Sequence, residues 1–244
     1  MRIGIIGAGN MGSAFARRLG AARHEVAITS RDVAEAEQVA ASVGNGVRAV
    51  PQDELAKHAD ILIAATPYAH QAEALRASGS LEGRIVIEIS NPITDDMSSL
   101  AVGFTTSAAE EVARAVPGAT VVKAFNTVFA QVLGQPRSKA NATPVQVFYA
   151  GDDAPSKETV RTLIESMGFE PVDAGPLKNA RYLEPMGMLN IYFGYVGGLG
   201  TDIAPAVRKV SQPAIDTPAD QRARRSDATT QRIARDDEAQ PAAG

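Results

Sequence analysis

The sequence predicts an α/β fold, a doubly wound parallel sheet with a helical C-terminal annex and a disordered tail, and three observations carry that expectation. Short apolar runs alternate with segments of helical periodicity along most of the chain. Those runs are apolar almost without interruption, as in residues 2–7 (Arg-Ile-Gly-Ile-Ile-Gly), the pattern of strands covered on both faces. The alternation stops near residue 210, beyond which almost nothing is left to bury.

The elements follow in order. After the strand at 2–7 comes a helix over 10–19, where Met11, Phe15 and Leu19 recur every four residues. Residues 25–29 read as a second strand and the Ala- and Glu-rich stretch 33–43 as a second helix. A short strand at 47–50 precedes a helix at 53–58. Strands at 61–65, 85–89 and 121–125 then alternate with helices at 70–77 and 107–116. Such βα repetition implies a parallel sheet with helices on both faces. Past a polar, proline-containing loop at 134–144 lie a strand at 145–150, a helix at 156–167, a strand at 170–173 and a long apolar helix at 179–194. Pro185 should perturb the first turns of that last helix. The pattern leaves open whether 145–210 extends the first sheet or makes a separate lobe; one domain over 1–210, with 145–210 as its extension, is the expected organisation. Residues 211–244 set five arginines against six acids with only Ile215 and Ile233 to bury, which predicts a disordered, solvated tail, with a partner-docking segment as the alternative.

Composition bounds the function. At 244 residues, 45% of them hydrophobic, the chain can build one well-cored domain. A net charge of −4 gives no broad surface for gripping a nucleic-acid backbone. The absence of cysteine excludes disulfides, thiolate nucleophiles and Cys-based metal sites. No apolar run reaches the roughly 18 residues that would span a bilayer, and no basic n-region with a separate apolar segment opens the chain, so no membrane partner and a cytoplasmic location are expected.

Gly7-Ala8-Gly9-Asn10-Met11-Gly12 is G-x-G-x-x-G placed directly between a predicted strand and a predicted helix, the context in which it binds dinucleotides in Rossmann-type folds. Gly7 allows the tight turn, Gly9 the approach of a pyrophosphate, and Gly12 the close packing of helix on strand, with the helix N-terminus facing the phosphates. At the end of the second strand, where a carboxylate would select NAD, stand Thr29-Ser30-Arg31. A hydroxyl and a guanidinium make a socket for a 2′-phosphate, so NADP(H) is the expected dinucleotide; Asp32 caps the next helix or weakens that preference. Thr66-Pro67-Tyr68, Ser90-Asn91-Pro92 and Asn126-Thr127 end three successive strands with hydroxyl or amide groups, a line of contacts along a cofactor or ordinary turn chemistry. His70 either lies near the nicotinamide or starts a helix. The pairs Asp95-Asp96 and Asp152-Asp153 are read as helix caps in preference to metal ligands. Tyr182, Met186, Met188, Tyr192, Phe193 and Tyr195 form either a flat wall for a planar second substrate or core and homodimer packing.

With these residues in view, the chain resembles the coenzyme F420-dependent NADP oxidoreductases, and more distantly the dinucleotide domain of STEAP-type ferric reductases. The resemblance rests on the opening Met1–Gly12 motif, Thr29-Ser30-Arg31, Pro67-Tyr68-Ala69-His70, Gly151-Asp152-Asp153 and the segment 173–181 (Asp-Ala-Gly-Pro-Leu-Lys-Asn-Ala-Arg), and covers about residues 1–205. It implies that Ala8, Gly9, Asn10 and Met11 line the pyrophosphate, that Ser30 and Arg31 hold the 2′-phosphate, and that Thr66, Asn91 and Ala130 border the ribose and nicotinamide. It further implies hydride transfer between the nicotinamide C4 and the deazaflavin C5, with positioning rather than a protein acid or base as the enzyme's contribution. Two departures stand out. Some members carry a lysine where this chain has Asp32, Val33, Ala34 and Glu35, and archaeal members have His-Thr at Asn126-Thr127. The competing expectations are NADPH-dependent reduction of a flavin, ferric chelate, carbonyl or imine, and a non-catalytic nucleotide-sensing module.

Overall fold

Eight strands form one sheet in the order β3-β2-β1-β4-β5-β6-β7-β8, in a computed structural model that describes residues 1–135 and 144–210. The first half comprises β1 (Arg2–Ile6), α1 (Asn10–Ala21), β2 (Glu25–Thr29), α2 (Val33–Val43), β3 (Arg48–Ala49), β4 (Ile61–Ala64), α3 (Tyr68–Arg76), β5 (Ile85–Glu88), α4 (Ala108–Ala115) and β6 (Thr120–Ala124). It continues through α5 (Ala130–Gly134), β7 (Gln146–Gly151), α6 (Ala154–Ser166), β8 (Glu170–Asp173) and α7 (Ala180–Tyr195). Residues Met1–Ala206 make one compact unit; of the second, Val207–Gly244, only residues 207–210 are described, and the tail expected at 211–244 lies outside the described residues, as does most of the loop at 134–144.

The sheet is doubly wound because neighbouring strand residues point to opposite layers. Ile61 and Ile63 join a core with Phe15, Leu19 and Leu133, while Leu62 and Ala64 join another with Leu55, Leu75 and Val112. With both faces covered, near-continuous apolar strands are what the packing requires.

Five details differ from the sequence expectation. β7 runs antiparallel to β6, in register Lys123↔Ala150, so the sheet is mixed rather than wholly parallel. Strands β7 and β8 extend the first sheet, and only α7 with its preceding turn is a helical annex. The segment Gln52–Lys57 is a 3₁₀ helix, not an α-helix, and the short helix α5 has no counterpart among the expected elements. Pro185 sits inside α7, which runs on without a break from Ala180 to Tyr195. No helix among the described residues is long and apolar enough to cross a membrane.

Candidate active site

Strand order reverses between β1 and β4, so the loops leaving them part to opposite faces and open a crevice at the carboxyl edge of the sheet. The glycine loop sits there. Gly7 has φ of +107°, and a Cβ on it would stand 2.7 Å from the Ala65 carbonyl oxygen; a Cβ on Gly12 would run into the carbonyl of Gly7. Neither position admits another residue without moving backbone. Gly9 caps α1 without a side chain, and a Cβ built there would meet nothing within 4 Å. No acidic residue stands in the first turn of α1, so its amides and its positive end face open space suited to an anion.

Two cavities flank this loop. One of about 300 Å³ is lined by Gly7, Ala8, Gly9, Ser30 and Arg31. The other, about 1030 Å³, is lined by Asn10, Met11, Asn91, Asn126 and Ala130. Ala65, Thr66, Pro67 and His70 line both and form the seam between them. The fold thus gathers the sequence-predicted residues along one edge; Gly12 lines neither cavity and acts in helix packing. His70 stands in the first turn of α3, as its reading as a helix start expects, and lines the seam between the cavities.

The strand ends carry unspent hydrogen-bonding capacity. Thr66 Oγ1, Ser90 Oγ, Asn126 Oδ1 and Thr127 Oγ1 are buried and have no partner among the described residues. A buried polar atom left unpaired costs about 1–3 kcal/mol, so these residues fit a polar molecule held against the strand ends. The Asn126 amide has a single orientation: its Nδ2 donates to Asn91 Oδ1 at 2.9 Å and to the Leu183 carbonyl at 2.7 Å, which leaves Oδ1 as a free acceptor. Asn91 Nδ2 donates in turn to the Asn126 carbonyl at 2.8 Å. Phe125, just before, has φ of +61°, a left-handed backbone that turns the chain out of β6. Its ring is pinned edge-on by Phe15 at 5.1 Å and Phe169 at 6.2 Å, which holds the turn in place.

Beneath the strand ends lies an ionic cluster that sequence reasoning missed. Lys123 on β6 reaches Glu88 at 2.5 Å, the Ser90 carbonyl at 2.6 Å and Glu184 of α7 at 2.9 Å, with all three charged side chains at 0% exposure. Glu88 also accepts from the Ser90 amide at 2.7 Å, so the exit of β5 is tied at both its N–H and its C=O. Glu184 accepts from the amides of Ala108 and Ala109 at the start of α4. Burial pushes the Glu184 carboxyl above its usual range, against the pull of Lys123. The available signal was the charge itself: Lys123 and Glu88 interrupt otherwise apolar strands.

At the Ser30–Arg31 end of the smaller cavity, Ser30 Oγ donates to Glu35 at 3.0 Å, and Asp32 caps α2 by accepting from the Ala34 amide at 3.0 Å. Asp153 likewise caps α6 through the Ser156 amide, and Asp152 accepts from the Leu177 amide. Asp96 is different: no helix follows it. It accepts from Thr94 and Ser98 within a loop whose Thr94, Asp95 and Met97 line the larger cavity, and the Thr94 hydroxyl foremost holds its carboxyl down at about 2. Tyr68 donates its phenol to Glu111; burial first, then that carboxylate, pushes it up to about 12. The expected aromatic wall is only partly assembled. Tyr195, itself exposed, lines the larger cavity and packs edge-on to Phe129 at 5.6 Å, while the exposed Tyr182, Tyr192 and Phe193 do not line it.

Comparison with known proteins adds the following. The family model described as "NADP oxidoreductase coenzyme F420-dependent" matches residues 2–92. Metalloreductase STEAP3 of Rattus norvegicus is 29% identical over 183 residues, 75% of this chain; the chain spans 36% of that relative's length. The F420-dependent NADP reductase of Methanothermobacter marburgensis is 28% identical over 200 residues, covering 75% of this chain and 88% of that protein. Among solved structures, a candidate F420-dependent NADP-reductase from Arthrobacter sp. FB24 superimposes with a TM-score of 0.76 at 28% identity, covering 86% of this chain and 100% of that one.

Proposed function

We propose that the chain acts as a coenzyme F420-dependent NADP oxidoreductase, the family whose model matches residues 2–92, and that it transfers hydride between NADP(H) and the deazaflavin F420 across the carboxyl edge of its sheet. The observation that supports this reading is the pair of cavities on either side of the glycine loop, joined at Thr66 and Pro67. In this reading the amides at the start of α1, with Ala8 and Gly9, hold the pyrophosphate, and Ser30 and Arg31 hold the 2′-phosphate. Thr66, Asn91 and Ala130 border the ribose and nicotinamide, and Asn126 Oδ1 accepts from a ligand N–H. Bound there, NADP(H) supplies or takes up the hydride at its nicotinamide C4. The chain's contribution is alignment: Met97, Phe129 and Tyr195 give the larger cavity largely apolar walls for a planar ring. Tyr68 keeps its proton at neutral pH, with its phenol at about 12, and takes no part as a base.

A second reading, reduction of an uncharged carbonyl or imine, is favoured by one feature: among the described residues no lysine or arginine lines the larger cavity, whose charged lining residue is Asp95. The test is a spectrophotometric assay of the purified chain with NADPH and oxidised F420, following loss of deazaflavin absorbance, with NADH and FMN as controls. NADPH-dependent bleaching supports the F420 reading. NADPH binding without bleaching overturns it and turns the search to carbonyls and imines.

A further inference from the structure

We propose that Glu35 opens this site to NADH as well as NADPH, its carboxylate accepting the ribose 2′-hydroxyl of the one and opposing the 2′-phosphate of the other. The inference rests on the reading of the cleft as a dinucleotide site. Glu35 stands in the first turn of α2 and lines the smaller cavity beside Ser30 and Arg31. The Ser30 hydroxyl, half of the expected phosphate socket, already points its proton at Glu35, 3.0 Å away. Arg31 makes no ion pair among the described residues, with Glu35 or any other acid, so the carboxylate is not neutralised by its neighbour. Asp32 is turned to the helix cap through the Ala34 amide. Glu73 and His70 are the cavity's other ionisable groups, and the acid among them adds to the same sign.

A 2′-phosphate entering this socket gains Arg31 but must draw the Ser30 hydroxyl away from Glu35 and sit beside a second anion. A 2′-hydroxyl has no such conflict: it donates to the carboxylate, as a ribose does to the acid of NAD-binding folds. The two dinucleotides are thereby brought closer in affinity than Ser30 and Arg31 alone would set them.

Calorimetric titration of the full chain with NADPH and with NADH, in wild type, Glu35→Gln and Glu35→Lys, tests this. Wild type is expected to bind both. Glu35→Gln should tighten NADPH by about tenfold, the size of removing one near charge, and weaken NADH severalfold; Glu35→Lys should widen the gap further. Glu35 is exposed, so neither variant threatens folding. If wild type binds NADPH but not NADH, or the variants leave both affinities unmoved or shift them together, the proposal falls while the dinucleotide site stands. If wild type binds neither, the reading of the cleft itself falls.

Discussion

Glu88 and Glu184 meet Lys123 where none of the three side chains reaches solvent, whereas Glu35 meets Ser30 in an open socket beside Arg31, which has no ion pair among the described residues. Both regions set carboxylates against a cation at the carboxyl edge of the sheet, yet the chemistry differs in kind. In the buried cluster two carboxylates share one ammonium, and the remaining charge is met by the α4 amides; water can replace none of these partners. In the socket each charge is hydrated, so its pairing can be exchanged for a ligand at small cost. The difference teaches that the first region holds the strand ends in shape, while the second has the open, exchangeable charges that the proposed discrimination between dinucleotides requires.

Lys123→Met breaks the first region hardest. It leaves two buried carboxylates without their cation and should cost about 3–5 kcal/mol in urea unfolding. Replacing the whole set, Lys123→Met with Glu88→Gln and Glu184→Gln, should recover most of that loss; a cost under about 1 kcal/mol for the single change would refute the cluster's role. Arg31→Ala probes the second region. Free-chain stability should stay within about 0.5 kcal/mol, while NADPH affinity drops at least about tenfold, the value of one charge-assisted bond, with NADH little affected. Equal loss of both dinucleotides would remove Arg31 from the 2′-phosphate.

The pH dependence separates the regions more finely. Because burial raises Glu184 above its usual value of 4.5, the folded chain holds that proton after the unfolded chain has lost it. Its effect is therefore a decline in stability as pH climbs from 4.5 through the folded value, and Glu184→Gln should remove that decline. Relative to Glu184→Gln, wild type should lose stability as pH rises; a relative gain would mean that Lys123 and the α4 amides outweigh burial. Glu110, held low first by its hydrogen bonds from Arg181, has the opposite sign: its contribution is present above 4.5 and is lost as pH falls through the folded value. The smallest effect is expected for Ser30→Ala, a severalfold loss of NADPH affinity, worth about 1 kcal/mol, with unfolding unchanged.

Much of the scaffold was legible because its signals are local. The spans Glu25–Thr29, Val33–Val43 and Glu170–Asp173 are those the periodicity predicts, and the caps at Asp32 and Asp153 follow from side chains two or three residues from the amides they accept. Asp96 misled because an acid before a polar loop looks like an acid before a helix. The direction of β7 was illegible, since an apolar run reads the same whichever way its neighbour points. Tyr192 and Phe193 could not be told from Tyr195, since which aromatic side chains line a cavity depends on what packs beside them.

The sequence by itself determined the glycine loop between β1 and α1, the alternation of strand and helix, and the absence of a carboxylate at Ser30 and Arg31, because steric rules and side-chain periodicity act over a few residues. Only the tertiary structure decided that Glu88, Lys123 and Glu184 share one buried site, that Asn126 presents its oxygen rather than its amino group, and that Glu35 rather than Arg31 holds the Ser30 hydroxyl. The first two depend on partners more than thirty residues apart in the chain, and the third on which of two nearby charged side chains the helix turn brings within 3.0 Å.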